Sequence, residues 1–167
     1  FTSRIMNRVR SDEGLAYSAF SSFQGGVYYP LTFEAGFQSK SRTVAYAISI
    51  VFEEMRRIAA EPVADSEIGT TVNGLIDRFP RAFATKGQIA STFAQDEFTG
   101  RYAKDPEYWK RYRDKVRAVT KADIERVAKR LLTPDKAVIL IVGERDEILH
   151  GDPDRPGHLQ NFAGGKL

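Results

Sequence analysis

The chain has 167 residues, 42% of them hydrophobic and 28% charged, with a formal net charge of +3 and no Cys. This composition is typical of one globular domain with a buried core, and it excludes disulfides, thiolate metal sites and a cysteine nucleophile. Basic and acidic residues are interspersed, so no nucleic-acid partner is expected. No apolar run reaches the ~20 residues of a membrane helix, so no membrane span is expected in this chain.

The first predicted elements are a short helix over 2–13 and a strand over 15–23. Three apolar residues recur in the helix at helical spacing: Ile5, Met6 and Val9. Thr2 or Ser3 can cap its first turn. Gly14 suits the left-handed conformation that ends a helix, so the chain is expected to turn sharply there into the strand.

A second strand is predicted over 31–38, where apolar and polar residues alternate with a period of two. Its apolar positions are Leu31, Phe33, Ala35 and Phe37. The Gln24-Gly25-Gly26 sequence between the two strands indicates a turn. The strands are therefore expected to form an antiparallel hairpin or meander.

Helices are predicted for most of the middle of the chain. The clearest covers 41–60, where an apolar stripe is typical of a face packed on a sheet. Glu53 and Glu54 lie opposite this stripe, and we expect them to form surface ion pairs of little net energy with Arg56 and Arg57. Further helices are predicted over 65–79, about 86–98, 105–116 and 120–132.

Several of these helices carry start or stop signals. Pro80 is expected to break or kink the helix that precedes it. Pro106 suits the first position of the next-to-last helix. Thr120 and Asp123 resemble a capping box, with a shorter acid than usual, at the start of the last one.

Residues 137–142, AVILIV, form an apolar run that is too short for a helix, so a buried central strand is predicted there. The order of elements indicates an α+β fold with helices layered on one face of a mainly antiparallel sheet. Three strands form a thin sheet with an uncovered edge. We therefore expect further strands upstream of Phe1, where the chain starts within an amphipathic pattern, or strands from a partner.

The composition changes after residue 149, where Gly and Pro become frequent. We expect 1–149 to form a partial domain and 150–167 a flexible tail. The only histidines, His150 and His158, lie in this tail, without acidic residues at the spacing of a helical metal site. The sequence contains no HxxEH, HExxH, GxSxG or GxxxxGK[ST] motif. No metal ligands and no catalytic residues are thus predicted in this chain alone.

Arg10 and Tyr17 lie seven residues apart, on either side of the predicted helix-to-strand corner. Arg presents five donors in a rigid, permanently charged fork, and a Tyr hydroxyl both donates and accepts hydrogen bonds. Together they suit a peptide carbonyl or a chain-terminal carboxylate, and a Tyr donor can stabilise an oxyanion beside a metal supplied elsewhere. Taken alone, the residue types favour the alternative of an Arg at a helix C-terminus and a Tyr packed on the sheet.

The residues around this pair resemble a known family. The stretch 1–18, FTSRIMNRVRSDEGLAYS, looks like the signature segment in the non-catalytic half of the pitrilysin/insulinase zinc peptidases. The family pattern is F-x-S-R-hydrophobic, then V/L-R, then G-L-x-Y, and its matches are Phe1, Ser3-Arg4-Ile5, Val9-Arg10 and Gly14-Leu15-Ala16-Tyr17. Residues 116–144 resemble the family's closing helix, proline turn and final strand. The resemblance therefore extends from Phe1 to about Asp146.

The resemblance implies that this chain is a truncated half of a clamshell, in which two homologous α+β halves close around an unfolded peptide. One half carries HxxEH, binds zinc and supplies the general base. The other half supplies an Arg/Tyr pair that reaches the substrate at the metal, and this pair falls on Arg10 and Tyr17. The zinc ligands have no matching positions here, so Zn is expected in a catalytic partner half, in cis or as a separate subunit.

We therefore expect a non-catalytic, peptide-substrate-binding domain of a zinc metalloendopeptidase, inactive alone, in which Arg10 and Tyr17 complete the active site of the zinc-binding half. The alternative is a structural or peptide-holding subunit of the same fold, without a proteolytic role. The uncovered sheet edge also allows a homodimer of the chain. The sequence is compatible with a bacterial periplasm and with a cytoplasm, and determines neither.

Overall fold

The computed structural model describes residues 3–30, 32–157, 159 and 162. The chain divides into two compact units. Unit 1 comprises 1–61 and 127–167, and unit 2 comprises 62–126. No helix within the described ranges is long and apolar enough to cross a membrane.

Unit 1 begins with a turn of α-helix, α1 (Arg4–Met6), which continues as a π-helix (Asn7–Asp12). The wider winding is seen at the Glu13 amide, which donates to the Arg8 carbonyl five residues earlier at 3.1 Å. A helix is thus present where the sequence predicts one over 2–13, but its second part has π and not α geometry.

Both ends of this helix carry the predicted signals. The Ser3 hydroxyl accepts a hydrogen bond from the Met6 amide at 3.2 Å. The other candidate cap, Thr2, lies outside the described residues. Gly14 has a φ of 62°, which is the left-handed conformation predicted for it.

Two strands, β1 (Ala16–Phe23) and β2 (Phe33–Ser39), form an antiparallel sheet. Phe23 pairs with Phe33 across the sheet, and their ring centres lie 4.9 Å apart. The predicted hairpin is confirmed. Leu31, where the second strand was expected to begin, lies outside the described residues.

A 3-10 turn (Ser41–Thr43) leads into α2 (Val44–Ala60), whose apolar stripe packs on the hairpin and on the first helix. The buried residues of this core are Ile5, Val9, Leu15, Ala16, Ala19, Ala47, Ile50, Val51 and Met55. Phe33 and Phe37 pack on the same core from β2. The helix predicted over 41–60 and its packing on the sheet are therefore confirmed, and the burial of this apolar surface stabilises the unit.

Glu54 departs from the surface position predicted for it. Its side chain is 2% exposed, and its Oε1 accepts hydrogen bonds from Arg8 at 2.8 Å and from Arg57 at 3.1 Å. Glu53 remains at the surface, 59% exposed, and contacts the same arginine, Arg8, at 3.2 Å. The prediction was wrong for Glu54 because α1 and the π-helix pack against that side of α2.

The segment 137–142 is extended but is not a strand, because it joins neither β1 nor β2. It follows a 3-10 turn (Pro134–Lys136) and precedes α8 (Arg145–His150), a helix that the sequence pattern does not indicate. The sheet of the described residues thus has two strands, where the sequence predicts three. The α+β class and the antiparallel pairing are as predicted.

Only one side of this segment is covered. Ile139 and Ile141 pack near the buried Ala45 and Ile48 of α2. The alternate side chains are almost fully exposed: Val138 at 96%, Leu140 at 86% and Val142 at 92%. The prediction of a buried central strand was therefore wrong. An all-apolar run suits a strand covered on both faces, and here no described residue covers the outer face.

Unit 2 is helical. Its elements are α3 (Asp65–Arg78), α4 (Lys86–Phe98), α5 (Arg101–Lys104), α6 (Tyr108–Arg117) and the first residues of α7 (Lys121–Leu131). Pro80 interrupts the helical run as predicted and lies in a 3-10 turn (Phe79–Phe83). The helix expected to start at Pro106 begins two residues later.

The core of unit 2 is aromatic and includes one buried acid. The rings of Phe79 and Tyr112 stack at 4.8 Å, and Trp109 lies beside both. Asp96, 2% exposed, accepts hydrogen bonds from Arg101 Nε at 2.7 Å and from Trp109 Nε1 at 2.5 Å. Both carboxylate oxygens are thus paired, as a buried charge requires.

Candidate functional site

The helix-to-strand corner of unit 1 brings Arg10 and Tyr17 together. Arg10 lies in the last turn of the π-helix and Tyr17 is the second residue of β1. The guanidinium carbon of Arg10 lies 5.3 Å from the centre of the Tyr17 ring, within the range of a cation–π contact. The two residues singled out from the sequence are therefore neighbours in space.

The corner is anchored on both sides of Gly14. The Leu15 amide donates to the Val9 carbonyl at 2.9 Å and closes the turn. Val9 is fully buried and Leu15 is 7% exposed, so both flanks of the turn belong to the core. The backbone that carries Arg10 and Tyr17 is thus held in place by packing and by a hydrogen bond.

Tyr17 points away from this core. It is 84% exposed, while Ala16 beside it is buried and Arg10 is partly buried. The alternative of a Tyr packed on the sheet does not describe this side chain. An exposed phenol with a guanidinium beside it on a fixed backbone can bind carbonyl or carboxylate oxygens of a ligand.

Three residues that the sequence pattern does not indicate contact one another next to the corner: Glu13, Tyr46 and Arg155. Arg155 donates to the Glu13 carboxylate at 2.6 Å, and its guanidinium lies 5.5 Å from the centre of the Tyr46 ring. Burial, with a hydrogen bond to Glu13, raises the pKa of Tyr46 above its ordinary value. Glu13, which precedes Gly14, is thus held by a residue 142 positions later. No local pattern signals this contact.

Arg155 and Leu159 come from the predicted tail. Leu159 is 8% exposed and packs against α2, so these residues contact unit 1. The division of the chain at residue 150 itself stays a prediction.

Arg8 forms a second charged group two residues before Arg10. Partial burial disfavours its cation, but the hydrogen bonds to Glu53 and Glu54 outweigh burial and raise the pKa of Arg8. This arginine ties the π-helix to α2 and does not belong to the open side of the corner.

The part of the chain that the structure describes contains no group of three or more His, Cys, Asp or Glu that could hold a metal ion. His150 ends α8, and His158 lies outside the described residues. The corner offers a guanidinium and a phenol, which can donate hydrogen bonds to a ligand's oxygen atoms.

A family model described as "Peptidase M16 inactive domain" matches residues 1–75. The match includes the corner, the hairpin, α2 and most of α3. It confirms the resemblance to the pitrilysin/insulinase metallopeptidases over this part of the chain, and it is a match to their non-catalytic domain. No curated protein matches the chain.

Proposed function

We propose that this chain, whose residues 1–75 match the inactive domain of the pitrilysin/insulinase metallopeptidases, is the peptide-binding, non-catalytic half of a zinc endopeptidase. Arg10 and Tyr17 contact the peptide at the bond that is cleaved. In this proposal the HxxEH partner half, in cis or as a separate subunit, holds the zinc.

The observation that carries this proposal is the Arg10–Tyr17 pair at an anchored corner, with Tyr17 exposed and Arg10 partly buried beside it. Tyr and Arg are enriched among the residues that dominate binding energy at interfaces. The Tyr17 hydroxyl can donate to an oxyanion that develops on the peptide carbonyl, and the Arg10 fork can hold a neighbouring carbonyl or a terminal carboxylate. Both contacts require only that the peptide approach the open side of Tyr17, which is 84% exposed.

The proposal is tested by peptide hydrolysis, with the chain assembled with its HxxEH half in the presence of zinc and a quenched fluorescent peptide as substrate. Arg10→Ala and Tyr17→Phe each remove donors from the corner. We expect each to lower kcat/KM by roughly one to three decades, as loss of a transition-state donor does. Because the Tyr17 side chain is in solvent, Tyr17→Phe should leave the unfolding temperature unchanged.

Two variants serve as matched controls. Arg130→Ala removes an exposed arginine from the same unit, and Tyr29→Phe removes the hydroxyl of a tyrosine that is 67% exposed. Both should retain full activity. Wild-type hydrolysis by both corner variants would contradict the assignment and would favour a structural or peptide-holding subunit.

A further inference from the structure

Residues 151–157 and Leu159 form a segment, which we call the strap, that crosses the start of α2. A Cβ built on Gly157 would lie 3.1 Å from the backbone nitrogen and from the Cα of Tyr46, so the backbones of the strap and of α2 are in close contact. Gly157 has a φ of 136°, a conformation that favours glycine. Leu159 is 8% exposed and packs against α2. The strap is therefore fixed on the first turn of this helix.

Arg155 is the strap residue that reaches the corner. Its amide donates to the Asp152 carbonyl at 3.2 Å, and Asp152 Oδ1 accepts from the Asp154 amide at 3.0 Å, so the strap turns at this point. The guanidinium carbon of Arg155 lies 5.5 Å from the centre of the Tyr46 ring, within the range of a cation–π contact. The turn and the ring thus direct the arginine toward Glu13.

Arg155 contacts Glu13 through both its side chain and its backbone. Arg155 Nη1 donates to Glu13 Oε2 at 2.6 Å, and Arg155 Nη2 donates to the Glu13 carbonyl at 3.5 Å. Glu13 follows the last residue of the π-helix. Carbonyls at the end of a helix lack partners within the helix and carry partial negative charge, so a cation is favourable there and a carboxylate alone is not. Arg155 provides the cation that this helix end requires.

The contact lies next to the residue of the corner that has the widest choice of backbone conformations. This residue is Gly14, which lacks a Cβ. After it, the Leu15 amide closes the turn. Before it, Glu13 is bonded through its amide to the Arg8 carbonyl at 3.1 Å and through its carboxylate to Arg155. Arg155 therefore restrains the helix side of the corner, as the Leu15 amide restrains the strand side.

We propose that Arg155 is a positioning residue for the peptide-binding corner, an inference that rests on the proposed function. Through Glu13 it holds the end of the π-helix, and so it keeps Arg10 at the distance from Tyr17 at which both contact one peptide. Arg155 is not a catalytic residue, because Glu13 occupies its guanidinium. Misplacing a positioned group by ~1 Å can lower a rate by about 10²-fold. We expect a smaller loss without Arg155, about tenfold, because the hydrogen bond that closes the turn remains.

The alternative is that Arg155 contributes only to the stability of unit 1. If Arg155 positions the corner, the Tyr17 hydroxyl is displaced in its absence and contributes less to hydrolysis. If Arg155 only stabilises the fold, the folded molecules keep a normal corner, and Tyr17→Phe lowers their activity by the same factor with or without Arg155. The Glu13–Arg155 pair, with side chains 27% and 34% exposed, is not expected to decide folding.

The first test is peptide hydrolysis by the chain assembled with its HxxEH half and zinc. Arg155→Gln should lower kcat/KM about tenfold. Tyr17→Phe should cost at least about threefold less in the Arg155→Gln background than in the wild type, because a displaced hydroxyl has less to lose. Arg155→Lys keeps a cation beside Glu13 and should retain kcat/KM within about threefold of the wild type.

The second test is hydrogen exchange of the 167-residue chain alone, which requires neither zinc nor substrate. In Arg155→Gln, exchange should become at least about fivefold faster at the Glu13 and Leu15 amides and should stay unchanged in the middle of α2. Glu13→Gln should have the same effect, and the double variant should add little, because both side chains act through one contact. Glu13→Gln also replaces Arg155→Gln in both tests if the latter unfolds. Arg42→Gln is the matched control, since it removes another ion pair of unit 1, with Glu147 at 3.5 Å, and should leave activity and exchange unchanged.

Two results would overturn the role of Arg155 and leave the proposed function intact. One is an equal cost of Tyr17→Phe with and without Arg155, and the other is wild-type exchange at the Glu13 and Leu15 amides of Arg155→Gln. Wild-type hydrolysis by both Arg10→Ala and Tyr17→Phe would instead contradict the proposed function, and with it any role of Arg155 in hydrolysis. The exchange measurement separates these cases, because it reports on the corner itself.

Discussion

Gly14 determines the geometry of the corner that carries Arg10 and Tyr17. Its φ is 62°, and a Cβ built on it would meet no atom within 4 Å. The requirement for glycine is therefore conformational and not steric. This residue could be predicted from the sequence because a helix followed at once by a strand needs a left-handed residue at the break.

Glu54 illustrates a residue whose partner could not be predicted from its place on a helix. It follows the buried Ala47 and Ile50 at helical spacing and so lies on the packed face of α2, whereas Glu53 lies off that face. Arg8 hydrogen-bonds to both carboxylates, but Glu53 is 59% exposed and Glu54 is 2% exposed. The cation that pairs with the buried Glu54 comes from 46 residues earlier in the chain.

Glu54→Ala should destabilise the chain more than Glu53→Ala does. Removing Glu54 leaves Arg8 and Arg57 without their shared carboxylate, and we expect the free energy of unfolding to fall by about 2 kcal/mol. This is less than for a fully buried pair, because the two arginines are 25% and 39% exposed and can be hydrated. Glu53→Ala should cost less than ~1 kcal/mol. Urea unfolding of both variants measures the difference.

Glu54→Gln is the control for side-chain volume, since it keeps the shape of Glu54 and removes the charge. Its loss of stability should lie between those of the two alanine variants. Equal, small losses for Glu53→Ala and Glu54→Ala would show that the ion pairs of Glu54 contribute as little as surface pairs do.

At the scale of elements, the start of α7 depends on two side chains. The Thr120 amide donates to Asp123 Oδ2 at 3.1 Å, and the Asp123 amide donates to Thr120 Oγ1 at 3.2 Å. The predicted capping box is thus confirmed. Hydrogen bonds from the Thr120 side chain, Arg126 and the Thr120 backbone lower the pKa of Asp123 to about 2.

The contribution of Asp123 to stability should depend on pH. Its pKa in the folded chain, about 2, is below the ordinary value of ~3.9, so the carboxylate stabilises the fold fully above pH ~4 and this stabilisation is lost as the pH falls through about 2. The difference in urea midpoint between wild type and Asp123→Ala should therefore shrink over this range. Asp135→Ala, at a side chain 95% exposed, should differ little from wild type at any pH. A difference for Asp123→Ala that is the same at pH ~6 and pH ~2 would contradict this account.

At the scale of the whole molecule, unit 1 exposes large apolar side chains on two of its segments. Those on β1 are Tyr17, Phe20 and Phe23, and those on 137–142 are Val138, Leu140 and Val142. Exposed apolar side chains in such number are typical of a surface that binds a partner or associates with itself.

Leu140→Lys should reduce self-association at high concentration without lowering the unfolding temperature, because the Leu140 side chain is 86% exposed. Light scattering and thermal unfolding measure the two effects. Ile141→Lys is the matched control on the covered side of the same segment, and it should destabilise the chain by about 1–2 kcal/mol. A large loss of stability for Leu140→Lys would show that its outer face is covered in solution.

The sequence by itself determined the features that depend on neighbours within about one helical turn. Ser3 caps its helix, Gly14 ends it, Thr120 and Asp123 open α7, and the apolar period of α2 selects its packed face. Each of these depends on hydrogen bonds or on spacing between residues that are close in the chain. Such interactions can be predicted from the local sequence pattern. The similarity of the first residues to the inactive peptidase domain could also be found from the local sequence pattern.

Only the tertiary structure decided which residues are covered. It pairs the buried Glu54 with Arg8, it holds Glu13 with Arg155, and it leaves one side of 137–142 exposed where the apolar run predicts a buried strand. The physical reason is that burial is a property of the space around a side chain. That space is filled by segments distant in sequence. The apolar character of a run shows that its burial would be favourable, but it does not show whether another segment covers it.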